Sequence, residues 1–241
     1  MKEIEILLNK SIKYKNSIIQ KKFHSKKNTV AYVIFNNKPR ILKWFAPGFR
    51  NQMNNEFHVL KRGSSKLKIP IVYEKDNINN VIIMNYIPGK NLCDIINDHN
   101  ENPNNKEKII IELASWFKRF HDFYKTNNQN YIRGDSNLRN FIFTDYIWGL
   151  DFEEFRIGNI DEDIANICTS ILTTDPKYTN EKYTLCKLFI KSYLKNLLIN
   201  YERLSKEITY SILNTMIQRG ITLTNKKAGE ITEKIFLKVK K

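Results

Sequence analysis

Apolar and polar residues alternate in short runs along the first third of the chain. Because successive side chains of a strand point to opposite faces, a period of two indicates a strand with one covered face. The pattern predicts a small antiparallel sheet, with a helix over 4–16 before it and turns at 24–28 and 36–39. The predicted strands are 17–23, 29–35, 40–45, 71–74 and 80–86.

Apolar residues at helical spacing predict that most of the remaining chain is helical. A helix over 49–62 interrupts the strands, with an apolar stripe of Met53, Phe57 and Leu60. Beyond the strands the predicted helices are 91–98, 106–125, 180–200, 201–219, 221–241 and one that Asp163 opens. The longest has the stripe Ile110, Leu113, Phe117, Phe120 and Tyr124.

This order of elements predicts an α+β fold. A small antiparallel sheet with one helix is expected in an N-terminal lobe over 1–86, and a mostly helical C-terminal lobe over 87–241. His121 lies beside the longest stripe, where a histidine is usually a packed, hydrogen-bonded core residue.

Composition narrows the possible classes. Hydrophobic residues make up 41% of the chain, enough for a packed core, and no apolar run approaches the roughly 18 residues of a membrane helix. The N-terminus carries two acids and does not resemble a signal peptide. The three cysteines form no C-x-x-C pair, which argues against a zinc site and favours a reducing cytoplasm.

The net charge of +15 has two explanations. It follows from a composition rich in Lys, Asn and Ile, or it indicates an anionic partner such as RNA or an anionic membrane surface. Residues 1–69 carry 16 basic and 3 acidic side chains, whereas residues 70–180 carry 11 and 17. The acidic middle of the chain suits a Mg²⁺-binding site better than an RNA-binding groove.

That middle region contains a polar loop with Asp135 and Asn140 five positions apart. Two short apolar runs, 141–144 and 147–150, follow as a predicted hairpin, and Asp151 ends the second run. Phosphoryl transfer needs one carboxylate to orient a hydroxyl and two oxygen ligands to hold Mg²⁺ against phosphates. These three side chains supply such a set.

Two charged residues upstream occupy apolar faces. Lys43 lies between Ile41 and Phe45 on one face of a predicted strand, and Glu56 lies on the apolar stripe of the following helix. Taken singly, each residue has an ordinary explanation. Lys43 would extend from an edge strand into solvent, and Glu56 would be a solvated carboxylate beside the stripe. Taken together, they predict a buried ion pair, because an inward carboxylate needs a nearby cation.

The order of these residues resembles the protein-kinase-like superfamily. The stretch VIIMNYIPGKNL resembles the hinge of aminoglycoside phosphotransferase-type kinases, so adenine is expected at the backbone near Asn85 and Ile87. The resemblance covers about 17–171 and implies a bilobal kinase-like fold that uses ATP and Mg²⁺.

The resemblance also implies a role for each charged residue. Lys43, oriented by Glu56, would hold the α- and β-phosphates, and Asp135 would be the catalytic base. Asn140 and Asp151 would be the metal ligands.

The chain departs from the superfamily pattern in its phosphate loop and its catalytic loop. No glycine precedes Gly48, so Ser25, Lys26 and Asn28 are the candidate phosphate donors. Arg133 stands where these kinases usually have a histidine, and it is expected to brace the catalytic loop by hydrogen bonding.

The metal loop differs as well. Asp151-Phe152-Glu153 replaces Asp-Phe-Gly, and Asp163 follows Asp151 after only twelve positions. Asp163 resembles the aspartate of a D-L-A motif that holds the catalytic loop, although capping its helix is an ordinary role for it. The short gap leaves no room for a peptide-docking segment and favours a small-molecule kinase.

The predicted function is ATP- and Mg²⁺-dependent phosphate transfer to a hydroxyl of a small molecule or sugar. The C-terminal helices are basic, which suits an acidic or phosphorylated acceptor, and ILKWFAP resembles a strand of lipopolysaccharide-core heptose kinases. Two alternatives remain: an atypical kinase or ATPase of an RNA-associated assembly, similar to the KEOPS or RIO kinases, and a non-catalytic pseudokinase binding module.

Overall fold

The computed structural model describes residues 5–8, 11–23, 27–195 and 200–237. The chain divides into two compact units. The first comprises Met1–Pro88 and Leu150–Glu154, and the second comprises Gly89–Gly149 and Phe155–Lys241. The division predicted from the sequence, at residue 86, assigns residues 150–154 to the helical part instead. The assignment of a function to each lobe stays a prediction.

The first unit contains a five-stranded antiparallel sheet, as predicted. Its strand order is β1-β2-β3-β5-β4. The hairpin between β2 and β3 turns at Asn36 and Asn37, which both have positive φ (50° and 59°). A two-residue hairpin turn of this kind requires positive φ, and asparagine tolerates it. The strands are β1 (Ile18–Phe23), β2 (Thr29–Phe35), β3 (Lys38–Trp44), β4 (Val72–Asp76) and β5 (Val81–Asn85).

One face of this sheet is covered by the N-terminal segment. The buried cluster on that face consists of Leu7, Leu8, Tyr14, Ala31, Val33, Leu42, Val81 and Ile83. The prediction of a continuous helix over 4–16 is wrong. Among the described residues of this stretch, 5–8 are helical and 12–16 form turns. Tyr14 packs into the cluster and donates a hydrogen bond to Asp76 (2.8 Å), and this tertiary contact outweighs the local helical pattern.

The helix α1 (Arg50–Gly63) lies between β3 and β4 in sequence. Its buried face includes Met53, Glu56, Val59 and Leu60, so the predicted burial of Glu56 among apolar residues is confirmed. Phe57 is only half-buried, and Val59 takes its place in the stripe.

The second unit is mostly helical and includes two small sheets, β6-β8-β9 and β7-β10. A single turn of 3₁₀-helix (Leu138–Asn140) leads into the predicted hairpin. The helices are α2 (Leu92–Asn97), α3 (Pro103–Tyr124), α4 (Ile160–Thr173), α5 (Asn180–Tyr193), α6 (Tyr201–Gln218) and α7 (Asn225–Phe236). The strands are β6 (Lys90–Asn91), β7 (Tyr131–Ile132), β8 (Phe141–Phe143), β9 (Ile147–Gly149) and β10 (Arg156–Ile157).

Capping residues move three helix starts away from their predicted positions. Asn102 caps α3, with a proline in the first turn, so α3 begins three residues before the predicted 106. Thr224 caps α7, which begins at Asn225 instead of 221. Asn159 caps α4 through a capping box with Glu162, so Asp163 lies inside this helix and does not open it.

The core of the second unit is aromatic. All five residues of the predicted α3 stripe are buried, and Trp116 stacks on Phe120 and meets the edge of Phe141. Gly149 approaches Trp116 so closely that a Cβ atom there would lie 2.3 Å from the indole. Within the described ranges, no helix is long and apolar enough to span a bilayer. The two units together give the α+β class expected from the sequence.

Candidate active site

Lys43 of β3 is the centre of a charged cluster in the first unit. Its Nζ atom lies 2.5 Å from Oε2 of Glu56, 2.9 Å from Oδ1 of Asp151 and 2.7 Å from Oε1 of Glu153. The side chains of Lys43 and Glu56 are 6% and 2% exposed, whereas that of Asp151 is 39% exposed. The predicted ion pair between Lys43 and Glu56 is therefore present, and it is buried.

The strand alternation places Lys43 in this cluster. Its neighbour Leu42 belongs to the apolar cluster on the other face of the sheet, so Lys43 must point to the opposite side. Glu56 occupies the buried face of α1, one turn after Met53. The two charges meet because each follows the periodicity of its own element.

Burial and charge oppose one another at this cluster. Burial alone would lower the pKa of Lys43, but the carboxylates of Glu56, Asp151 and Glu153 outweigh it and raise that pKa. Burial raises the pKa of Glu56 to about 7, although Lys43 acts in the opposite direction. One ammonium thus faces three carboxyl groups.

The excess of carboxylates provides a donor set for a cation. Oxygen atoms of Glu56, Asp151 and Glu153 lie within 4.8 Å of one another. Mg²⁺ prefers carboxylate oxygen ligands and is usually bound through one or two of them together with phosphates. The half-exposed Asp151 is the member of the cluster that a Mg–nucleotide could reach most directly.

The backbone of Asp151 is held in an uncommon conformation. Its φ is +61°, in the left-handed region that few non-glycine residues adopt. Such conformations persist where the surrounding structure requires them, and they concentrate at functional sites. Here the conformation accompanies the placement of the Asp151 carboxylate beside Lys43.

Glu153 is a member of the cluster that the sequence prediction missed. It was noted only as a departure from Asp-Phe-Gly. Two observations point to Glu153 in the sequence. It lies two residues after Asp151, and Lys43 had only one predicted counter-ion, Glu56. Glu153 also accepts a hydrogen bond from Nδ2 of Asn28 (2.6 Å).

The contacts of Asn28 bear on its predicted role. Its Oδ1 accepts a hydrogen bond from the Ala46 amide (3.2 Å), its Nδ2 donates to Glu153, and the residue is buried. The side chain therefore supports the cluster from the β1–β2 turn, and direct donation to phosphate stays a prediction. Ser25 and Lys26, the other two predicted phosphate donors, lie outside the described residues.

The predicted hinge follows β5. The Asn85 amide donates to the Ile71 carbonyl (3.1 Å), and the Ile71 amide donates to Oδ1 of the Asn85 side chain (2.7 Å). Ile87 is buried. The residue before it, Tyr86, stacks on Tyr32 with ring centroids 4.3 Å apart. Adenine binding at Asn85 and Ile87 stays a prediction.

In the second unit, Asp163 organises the loop that carries Asp135. Its carboxylate accepts hydrogen bonds from the amides of Arg133 (2.8 Å) and Gly134 (3.1 Å) and from the Ser136 hydroxyl (2.8 Å). Burial would raise its pKa, but His121 and the hydrogen bonds from the Arg133 amide and the Ser136 hydroxyl lower it. Asp163 therefore holds the loop backbone from inside α4.

His121 completes this arrangement, as the core residue that the sequence predicted. Its Nε2 lies 3.0 Å from Oδ2 of Asp163, and its Nδ1 lies 2.9 Å from the Tyr193 hydroxyl. The ring connects α3, α4 and α5.

Arg133 supports the loop through its main chain, and bracing of the loop by its side chain stays a prediction. Its backbone amide donates a hydrogen bond to Asp163. The buried guanidinium lies 4.6 Å from the centre of the Phe141 ring and 5.7 Å from that of Trp116. A cation over aromatic faces is stabilised by the ring quadrupoles.

Asp135 and Asn140 lie side by side. The Asn140 Nδ2 atom is 3.0 Å from the Asp135 carbonyl and 3.2 Å from its Oδ2. Because the amide nitrogen faces Asp135, the amide oxygen is the atom left for a cation. Asp135 is exposed, and its Oδ1 accepts a hydrogen bond from Asn137.

Two further residues of α4 hold the same loop, and the sequence prediction missed them. Nδ2 of Asn166 donates to the Gly134 carbonyl (3.1 Å), and its Oδ1 accepts from Ser211 (2.9 Å). The Ser170 hydroxyl accepts from the Leu138 amide (3.0 Å). Their spacing from Asp163, three and seven positions, is a helical signal for one polar side facing the loop.

Comparison with known proteins identifies the fold. No protein-family model matches the sequence, and no curated protein matches it either. Solved structures do match along nearly the whole chain. Choline kinase LicA from Streptococcus pneumoniae has a TM-score of 0.62 at 13% identity, covering 98% of this chain and 100% of LicA. The chain has the protein-kinase-like phosphotransferase fold.

Two aminoglycoside phosphotransferases share this fold. APH(2")-IIa, in a ternary complex with streptomycin and ATP, has a TM-score of 0.60 at 15% identity, covering 97% of each chain. A thermostable mutant of APH(4)-Ia, with ADP and hygromycin B, also has a TM-score of 0.60 at 10% identity, covering 98% of this chain and 97% of its own. The resemblance of the sequence to the kinase-like superfamily is thus confirmed at the level of the fold. These neighbours give no support to an RNA or membrane partner.

Proposed function

We propose that this chain is an ATP- and Mg²⁺-dependent phosphotransferase that acts on a hydroxyl group of a small molecule or sugar. The observation that carries the proposal is the buried Lys43–Glu56 pair, with Asp151 beside it. Three carboxyl groups around one ammonium leave an excess of negative charge, which a bound Mg²⁺ would balance while Lys43 contacts the phosphates.

In the first unit, the roles concern the nucleotide. Lys43 would bind the α- and β-phosphates, and Glu56 would orient its ammonium. Asp151 would bind Mg²⁺, with Glu153 as a further carboxylate near it. The main chain at Asn85 and Ile87 would bind adenine, as the sequence predicts.

In the second unit, the roles concern the acceptor. Asp135 would accept a hydrogen bond from the acceptor hydroxyl and orient it for attack, and Asn140 would supply an amide oxygen to Mg²⁺. Asp163 and the Arg133 amide keep this loop in place. The solved neighbours that contain streptomycin or hygromycin B support an acceptor of small-molecule size.

The acceptor class and the compartment remain part of the proposal. An acidic or phosphorylated acceptor would suit the basic C-terminal helices, in which residues 181–241 carry 13 basic and 5 acidic side chains. Activity in the cytoplasm, where ATP and Mg²⁺ are abundant, fits the three free cysteines, all of which are buried.

The first test is a thermal-shift titration with ATP, with and without Mg²⁺. Ligand binding to the native state raises Tm by mass action. The wild-type chain should show a Mg²⁺-dependent shift, which Asp151→Ala should abolish. The absence of any shift at millimolar ATP would contradict the proposal and favour a non-catalytic module.

A second test separates catalysis from binding. Asp135→Asn keeps the size of the side chain but removes its negative charge, so transfer to a screened acceptor should fall by roughly 10²–10⁴-fold. The Mg–ATP thermal shift should be unchanged, because Asp135 is assigned to the acceptor. Near-normal turnover in Asp135→Asn would show that the assignment is wrong.

A further inference from the structure

The outer side of α1 and the neighbouring strand β4 form a groove to which the proposed function assigns no role. Its volume is about 590 Å³, and it is open to solvent. We call it the α1 groove. It is lined by Asn54, Asn55, Phe57, His58, Lys61, Arg62 and Lys75.

The lining is basic on an apolar floor. Three of the seven lining residues are Lys or Arg and none is acidic. Among the residues that the structure describes, no carboxylate pairs with the ammonium of Lys61 or Lys75. A concave surface with one sign of charge concentrates ligands of the opposite sign.

Lys75 is already held in position. Its ammonium donates to Oδ1 of Asn54 (2.9 Å) and lies 5.1 Å from the centre of the half-buried Phe57 ring. A lysine fixed in this way loses less conformational entropy when it binds an anion than a free surface lysine does. The groove therefore has a preorganised cation beside an aromatic surface.

We propose that the α1 groove binds a small phosphorylated compound, separately from the nucleotide. The cations at the rim match the negative charge of a phosphate monoester or a diphosphate, and the amide nitrogen of Asn54, whose oxygen accepts from Lys75, can donate to a phosphate oxygen. Phe57 provides a contact surface for an apolar or planar part of the same ligand.

The groove is connected to the Lys43 cluster through α1. Asn55 lines the groove, and its Nδ2 atom donates to the main-chain carbonyl of Glu153 (3.1 Å). The next residue, Glu56, is the partner of Lys43. A ligand in the groove thus contacts the helix face adjoining the residues that hold the cluster.

The experiment follows the His58 ring protons by NMR during titration with inorganic pyrophosphate at constant pH and ionic strength. His58 lines the groove, and His58→Gln assigns its resonance among the four histidines. The wild-type signal should shift with saturation. The double variant Lys61→Gln/Lys75→Gln should weaken the apparent affinity at least tenfold, and Lys61→Gln alone should show a smaller loss.

The controls place the binding site. Lys66→Gln removes an exposed lysine outside the groove and should leave the titration unchanged. A linear shift without saturation, or an unchanged affinity in the double variant, would overturn the proposal. So would displacement of pyrophosphate by a short single-stranded RNA at lower concentration, which would identify a polyanion-binding surface instead.

Discussion

Glu56 is the residue whose charge state decides the character of the Lys43 cluster. As an ionised carboxylate it balances Lys43, but with Asp151 and Glu153 close by, its ionisation adds to an existing excess of negative charge. Burial raises its pKa to about 7, so this group titrates close to physiological pH. The protonation of one side chain is therefore linked to folding.

The stability of the chain should depend on pH through Glu56. Its pKa is about 7 in the native state and near its ordinary value of 4.5 in the unfolded state, so the native state binds more protons between these values. This contribution to stability is complete below pH 4.5 and is lost as pH rises through 7. In urea melts, Glu56→Gln should therefore show a flatter dependence than the wild type over this range.

A comparison with Glu154→Gln tests the assignment. Glu154 is exposed and interacts with Lys27 at 3.3 Å, so its substitution should leave the wild-type pH dependence intact. An identical slope in Glu56→Gln and in the wild type would show that Glu56 is ionised throughout.

At the scale of elements, Gly149 at the end of β9 fixes the distance between β9 and α3. A Cβ atom at this position would lie 2.3 Å from Trp116, whose large ring is buried and cannot move aside freely. Gly149→Ala should lower the free energy of unfolding by about 1–3 kcal/mol, as overpacking does in other cores. Chemical denaturation would measure the change.

Gly229 is the matched control for this substitution. It lies in α7, where nothing is found within 4 Å of an added Cβ. Because alanine has the higher helix propensity, Gly229→Ala should stabilise the chain by up to about 1 kcal/mol. If both variants changed stability in the same direction, the close packing of β9 against α3 would not be the cause.

Lys182 joins three elements of the second unit. From α5 its ammonium donates to Oδ1 of Asn97 (2.8 Å), at the end of α2, and to Oγ1 of Thr174 (2.8 Å), which caps α4. Lys182→Met would remove both charged hydrogen bonds from these half-buried acceptors, at a cost of about 1–3 kcal/mol. Lys191→Met, on the exposed side of the same helix, should change the stability little, and an equal loss in both would contradict this role.

The sequence predicts these elements well where packing follows periodicity. The β-strands and the α3 stripe could be predicted because each has one buried face. The start of α7 and the turns over 12–16 could not, since Thr224 decides the first and the packing of Tyr14 on the sheet decides the second.

The same distinction applies to the candidate site. Lys43 and Glu56 are recognisable as charges on apolar faces. The spacing of Glu153 from Asp151, and of Asn166 and Ser170 from Asp163, indicates these residues as candidates, but their partners are distant in sequence and the spacing does not specify them.

At the scale of the whole molecule, the net charge of +15 should reduce stability at low ionic strength. Like charges repel in the compact state, and salt screens them over about 10 Å at 0.1 M. Raising NaCl from about 0.02 to 0.2 M should therefore raise the urea midpoint at pH 7. A midpoint that falls with salt would show that local ion pairs outweigh the general repulsion.

The path of the chain restricts how genetic recombination can exchange parts of such a protein. Leu150–Glu154 belongs to the first unit, although residues of the second unit flank it on both sides in sequence. A gene segment ending at Pro88 would encode Lys43 and Glu56 but neither Asp151 nor Glu153. Recombination at one junction therefore cannot transfer the charged cluster intact, and the two units are expected to be inherited together.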